Sequence, residues 1–282
     1  MSATWVETGI IWASNGPLNV LMLVHRMNTR TNEVSVLVAE SNESHGVTQD
    51  SKGRLISAQA WDGSTRIGVI HPPGSEAVLA DSFEGRPFSR PNDAIVARNG
   101  GVYFTDPGLT VQQAEALVKR SGKPLGPRLP PAVYYIPPGG RAIKIEDKMI
   151  RPNGIQLSPD ERTLYVNDTR GEYLIAMDVQ PNGTLGPKRN FAKYEGVQRE
   201  AQGVASGADG LAVDTEGRVY AATTVGVQVF SAQGQHLGTI PLSRAPQNLA
   251  FAGRDKKTLY IVGRNAAWKV QMLSTGYKGR AK

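Results

Sequence analysis

Five residues in this chain have types and spacing that could share one piece of chemistry. His45, Asn92, Asn153, Asp209 and Asn248 each stand just before a short apolar run, at intervals of 47, 61, 56 and 39 residues. Carboxylate and amide oxygens are hard donors that suit Ca²⁺, Mg²⁺ or Mn²⁺, and a nearby imidazole widens the choice to Zn²⁺ or Fe²⁺. If the five converge, a cation or a polar substrate has to answer them, because an unpartnered buried polar group costs about 1–3 kcal/mol. Taken singly, Asn or Asp before Gly also reads as a turn residue. Five matched positions favour convergence, since turn chemistry does not require the same place in every unit.

The elements that must position these residues repeat. Arg151-Pro-Asn-Gly154 leads into an apolar run, a turn at Ser158-Pro-Asp160 and a second run ending in Asn167-Asp168. Arg90-Pro-Asn-Asp93 leads through the same pattern to Thr105-Asp106. Further copies start at Ser44-His45, Ala208-Asp209 and Gln247-Asn248. Apolar residues alternate or run together over four to six positions between Gly-, Asn- and Asp-rich turns, which is strand behaviour. A third run and usually a fourth follow each hairpin, as at 226–230 and 237–240. Four strands per unit is the pattern of a propeller blade, whose first strand lines the central channel. A less regular first unit takes Glu7 before residues 9–12, then residues 21–24 and 33–38. Counting it predicts an all-β, six-bladed propeller with four-stranded blades, a single domain over 1–282, and a polar ring to which Glu7 adds a second carboxylate. One segment breaks the pattern. Residues 111–120 lack Gly, Pro and alternation and predict a short helix, either a lid over the pocket or a surface decoration.

Composition removes several classes of function. The chain has no cysteine, which excludes disulfides, zinc–thiolate centres, iron–sulfur clusters and thiol nucleophiles. The net charge of +7 comes with no Lys/Arg block and no interleaved aromatics, so no nucleic-acid partner is expected. No apolar stretch is long enough to span a bilayer, so no membrane partner is expected either. Residues 1–25 lack a basic segment followed by an apolar run, so the chain as given has no signal peptide and fits cytoplasm or periplasm. Oligomeric state is left open.

Taken jointly and in order, Arg90-Pro-Asn-Asp93, Arg151-Pro-Asn-Gly154, residues 157–166, Ala208-Asp-Gly-Leu211 and Asn248-Leu-Ala-Phe-Ala-Gly253 resemble the SMP-30/gluconolactonase (regucalcin-like) family. The resemblance runs from about residue 44 to the end. It implies a six-bladed propeller and a metal-dependent hydrolase of sugar lactones. It assigns metal ligands to Asn153, Asp209 and a first-blade glutamate, for which Glu7 is the candidate. Asn92 is implied beside the metal, completing the site or touching substrate, and Arg90 as a substrate-contacting arginine. The departure is in the first blade, where Glu7 stands one residue further from Trp12 than the family's pattern has it.

The reaction expected on this basis is lactone ring opening by water activated on one divalent metal, with Ca²⁺ foremost and Zn²⁺, Mn²⁺, Mg²⁺ or Fe²⁺ as alternatives. Asp209 is the expected general base, and Arg90, Asn92 and His45 orient the substrate or steady an oxyanion. No Gly-x-Ser-x-Gly motif supports a serine triad. Two rivals stay open at this stage. One is a phosphotriesterase or arylesterase on the same scaffold, and the other is a non-catalytic metal- or ligand-binding propeller.

Overall fold

The computed structural model describes residues 2–6, 9–14, 23–61, 64–200 and 203–279, the first two segments as backbone only. Antiparallel meanders follow one another along the chain. Blade one comprises Ser2–Val6, Gly9–Ser14, Leu23–Met27 and Val34–Val38. Blade two comprises Ser44–Gln49, Leu55–Gln59, Arg66–His71 and Ala77–Ala80. Blade three comprises Ala94–Val96, Val102–Asp106, Ala132–Ile136 and Ile143–Glu146. Blade four comprises Pro152–Leu157, Thr163–Asp168, Tyr173–Asp178 and Arg189–Lys193. Blade five comprises Leu211–Val213, Val219–Thr223, Gly226–Phe230 and His236–Ile240. A C-terminal sheet follows, made of Asn248–Ala252, Thr258–Gly263 and Ala266–Gln271. Innermost strands lie beside one another in chain order, and Ser2–Val6 lies between Asn248–Ala252 and Ser44–Gln49, which closes the ring of a β-propeller.

The near-continuous apolar strands follow from this packing. Side chains alternate across a strand, and a blade covered on both faces buries both sets. In Val102–Asp106, Val102 and Phe104 pack toward blade two, while Tyr103 packs toward blade four. In Val219–Thr223, Val219 and Ala221 meet blade four, while Tyr220 and Ala222 meet the C-terminal sheet. The core is thus a set of inter-blade wedges. Stacked and edge-on aromatics such as Phe104 on Tyr134 and Tyr220 on Phe251 fill them.

Two expectations need correction. Six four-stranded blades were expected, and the structure has five; among the described residues the C-terminal sheet carries three strands. After Gln271 the chain turns back beneath blade five instead of adding an edge strand. The Thr215 N–H donates to Thr275 O (2.8 Å), the Tyr277 N–H to Val213 O (3.2 Å) and the Gly276 N–H to Lys256 O (2.8 Å). The second correction concerns blade one, whose innermost strand is Ser2–Val6 and not the run at 9–12. Glu7 itself lies outside the described residues.

The expected helix is present as α1, Val111–Ser121, inserted between the second and third strands of blade three. Thr110 caps it in a reciprocal box with Gln113, Lys119 and Arg120 sit in its last turn, and Gly122 (φ 67°) ends it in a left-handed cap. No helix among the described residues is long and apolar enough to cross a membrane.

Candidate functional site

The starts of the inner strands surround a pocket of about 150 Å³, open to solvent at its mouth. Its wall contains His45, Arg90, Asn92, Asn153, Asp209 and Asn248. Every described residue of the sequence-derived set therefore reaches one cavity. Gly46, Asp93, Gln113, Arg151 and Gln247 complete the lining.

The glycines beside these residues are not turn glycines. Gly46, Gly154 and Gly210 directly follow His45, Asn153 and Asp209, and none has a positive φ. Their N–H groups donate to the next blade, to Asn92 O (2.5 Å), Asp209 O (3.1 Å) and Gln247 O (2.8 Å). A Cβ on Gly154 would collide with the carbonyl oxygen of Asp209, and one on Gly210 with the Asn248 amide. Glycine here permits the close approach that draws neighbouring pocket residues together. Blade three has Asp93 at that position, whose Oδ2 accepts the Ile155 N–H (3.1 Å) of blade four.

Buried aspartates at the ends of two second strands fix the approach to the pocket. Asp106 accepts N–H bonds from Ser89 (2.6 Å), Arg90 (2.9 Å) and Gly108 (3.0 Å). Asp168 does the same for Ile150 (2.9 Å), Arg151 (2.9 Å) and Arg170 (3.1 Å). The two Arg-Pro-Asn motifs are thereby presented in the same way by adjacent blades.

Electrostatics differentiate the wall. Burial, and then the Arg90 charge, hold the His45 pKa well below its ordinary 6.5, so its imidazole is neutral. A guanidinium can only donate, so His45 Nε2 accepts from Arg90 Nη2 at 2.9 Å and the ring proton sits on Nδ1. Asn153 Nδ2 donates to Thr169 Oγ1 (2.9 Å), which itself donates to Ala208 O (2.8 Å). This fixes the amide and leaves Asn153 Oδ1 buried without a hydrogen-bond partner. Burial, with help from the Asp93 charge, pushes the Asp209 carboxyl up to about 7. None of the described residues forms an ion pair with it.

An orphaned amide oxygen and a carboxylate destabilised in its charged form are what a hard cation satisfies. Among the described residues no three His, Cys, Asp or Glu side chains cluster, so a cation here has to be held partly by amide oxygens. The donor set fits that requirement.

Sequence reasoning passed over Asp93, Gln113, Gln247 and Arg151. Arg151 carried a readable signal, since it holds the same motif position as Arg90. Gln113 had none, because an insertion carries it to the pocket. Away from the pocket, His71 and His236 are half-buried, with His236 Nδ1 3.2 Å from Glu195 Oε1.

Residues 21–264 match the SMP-30/Gluconolactonase/LRE-like region. A gluconolactonase of Zymomonas mobilis is 29% identical over 307 aligned positions, covering 96% of this chain and 80% of that protein. Among solved structures, XC5397 of Xanthomonas campestris, described as a gluconolactonase, has a TM-score of 0.74 at 30% identity, covering 93% of this chain and 81% of that one. A regucalcin of Agrobacterium tumefaciens, described as a calcium-binding protein, shares the fold with a TM-score of 0.69 at 17% identity, covering 94% and 90%.

Proposed function

The chain belongs to the SMP-30/gluconolactonase family, and on that premise we propose that it is a divalent-metal-dependent lactonase working in the pocket at the starts of the inner strands. The observation that carries the reading is Asn153 Oδ1, a buried acceptor without a partner in the same pocket as the Asp209 carboxylate. Asn153, Asp209 and Asn92 are the proposed metal ligands, with Glu7 as the first-blade member of the set. The hard oxygen donors favour Ca²⁺, the ion named for the regucalcin neighbour. When bound, the ion supplies Lewis-acid polarisation of the ester carbonyl and acidification of a water molecule.

The protein's own groups carry the remaining steps. Asp209 takes a proton from water as the water oxygen adds to the lactone carbonyl carbon. The ring C–O bond then breaks, and the departing ring oxygen receives the proton held by Asp209, which gives the open hydroxy acid and restores the carboxylate. Arg90 and Asn92 donate to substrate hydroxyls or to the developing oxyanion. Neutral His45 accepts from Arg90 and so fixes the guanidinium's direction. Asp106 and Asp168 position the strand approaches through backbone N–H groups alone.

Base uptake during turnover tests this against the rival activities. Purified protein is offered D-glucono-1,5-lactone, an aryl acetate and a phosphotriester. The expected order places the lactone first by at least tenfold. A protein that cleaves the aryl ester or phosphotriester but not the lactone contradicts the proposal.

A further inference from the structure

Two guanidiniums reach the pocket, and among the described residues neither has a carboxylate within ion-pair distance, although Asp209 lines the same wall. Several arginines elsewhere on the molecule are paired, among them Arg120 with Glu43 (2.7 Å), Arg170 with Glu200 (2.5 Å) and Arg189 with Asp178 (2.7 Å). Arg90 and Arg151 form no ion pair among the described residues. The carboxylates nearest their main chains, Asp106 and Asp168, are taken up by backbone N–H groups. Arg90 meets a neutral imidazole, and Arg151 Nη2 meets the neutral Gln113 Oε1 (3.4 Å), which also accepts the Thr110 N–H (2.9 Å). Each guanidinium has five N–H donors, so most remain for a ligand. Sugar hydroxyls can satisfy donors but cannot neutralise two half-buried cations, whose desolvation is costly without an opposing charge.

The arrangement is also one-sided. The position two residues before each pocket residue is Arg90 in blade three and Arg151 in blade four. It is Glu43 in blade two, Gly207 in blade five and Pro246 in the C-terminal sheet. Both charges therefore sit on adjacent blades, on the side where α1 brings Gln113 to the pocket.

We propose that the substrate is a lactone bearing an anionic substituent, and that Arg151, together with Arg90 and beside Gln113, forms the subsite for that anion. This rests on the lactonase reading and deepens it. Bidentate geometry suits a carboxylate, a phosphate or a sulfonate alike, so the shared chemistry is a compact oxyanion on the sugar ring or its side arm.

The test compares kcat/KM for neutral D-glucono-1,5-lactone with 6-phospho-D-glucono-1,5-lactone and with the carboxylate-bearing D-glucaro-1,4-lactone. At low salt at least one anionic lactone is expected to exceed the neutral one by about tenfold or more, with the advantage shrinking as ionic strength rises. The two anionic substrates distinguish a phosphate from a carboxylate. In Arg151→Gln the ratio of anionic to neutral kcat/KM falls by about tenfold, the effect of removing one charge-assisted pair. Arg151→Lys, which keeps the charge, retains part of it. Equal kcat/KM for neutral and anionic lactones in the wild type, or an unchanged ratio in Arg151→Gln, overturns the subsite while leaving the lactonase reading standing. If no lactone is opened, the lactonase reading falls, and calorimetry with 6-phosphogluconate then decides the subsite. Binding weakened about tenfold by Arg151→Gln supports it, and no binding, or binding unaffected by the substitution, overturns it.

Discussion

At one end of the inner strands the hairpin turns settle their own charges. Asp50 Oδ1 accepts the Lys52 and Arg54 N–H groups (2.9 Å each), and its Oδ2 takes Arg54 Nε at 2.8 Å. Asp214 repeats this with Glu216 (3.0 Å), Arg218 N (2.9 Å) and Arg218 Nε (2.6 Å). At the other end the same strands begin with groups left unsettled: the orphaned Asn153 Oδ1, a carboxyl at Asp209 pushed up to about 7, and two guanidiniums that form no ion pair among the described residues. Local satisfaction marks the end that stabilises the fold. Its absence at the other end is what the proposed function asks of a place that binds and reacts.

The largest effect expected from breaking this contrast is at Asp209. Asp209→Asn removes the candidate base and a ligand charge, and should lower kcat/KM for lactone opening by about 10³-fold or more with little loss of thermal stability. Unchanged turnover would place the chemistry elsewhere. Next is Gly154→Ala, which adds a methyl where the Asp209 carbonyl already lies. It should destabilise the fold by about 3–4 kcal/mol in urea unfolding, near the upper end for overpacking.

Lys256 is the exception at the well-settled end. It is 3% exposed, donates Nζ–H to Phe251 O (3.4 Å), and is held at a pKa of about 8 by burial first and Lys278 second. An exposed lysine titrates near 10.5. Between those values the unfolded chain carries a proton that the folded chain has lost, so stability rises with pH; below pH 8 both are charged and the penalty is fully present. Urea unfolding should therefore show wild type gaining on Lys256→Met by on the order of 2–3 kcal/mol between pH 7.5 and 10.5. A constant difference over that range would remove Lys256 from the account. The smallest effect is expected for Arg54→Gln. Its partly exposed pair with Asp50 is worth about 0.5 kcal/mol, and lactone turnover should not change.

Much of the pocket was legible because a repeat fixes register. Once hairpin units align, residues at matched positions must face one channel, and His45, Asn92, Asn153, Asp209 and Asn248 all reach it. The motif Asn-Gly was ambiguous in sequence, since close inter-blade approach and a tight turn both call for glycine; only the φ values separate them. Ser2–Val6 was missed because it carries no polar-then-apolar signature. That the C-terminal sheet has three strands among the described residues depends on where residues 272–277 dock, a tertiary contact that no periodicity encodes. Arg151 could have been read from its match to Arg90, whereas Gln113 could not, because α1 belongs to no repeat.

The central claim is that the unsettled end of the ring opens lactones with a bound divalent ion. It is tested most directly by following D-glucono-1,5-lactone opening with protein stripped by chelation and then reloaded with Ca²⁺. The account predicts a fall of about 10²-fold or more toward the spontaneous rate on stripping, and recovery on reloading. Equal rates for stripped and reloaded protein would contradict it.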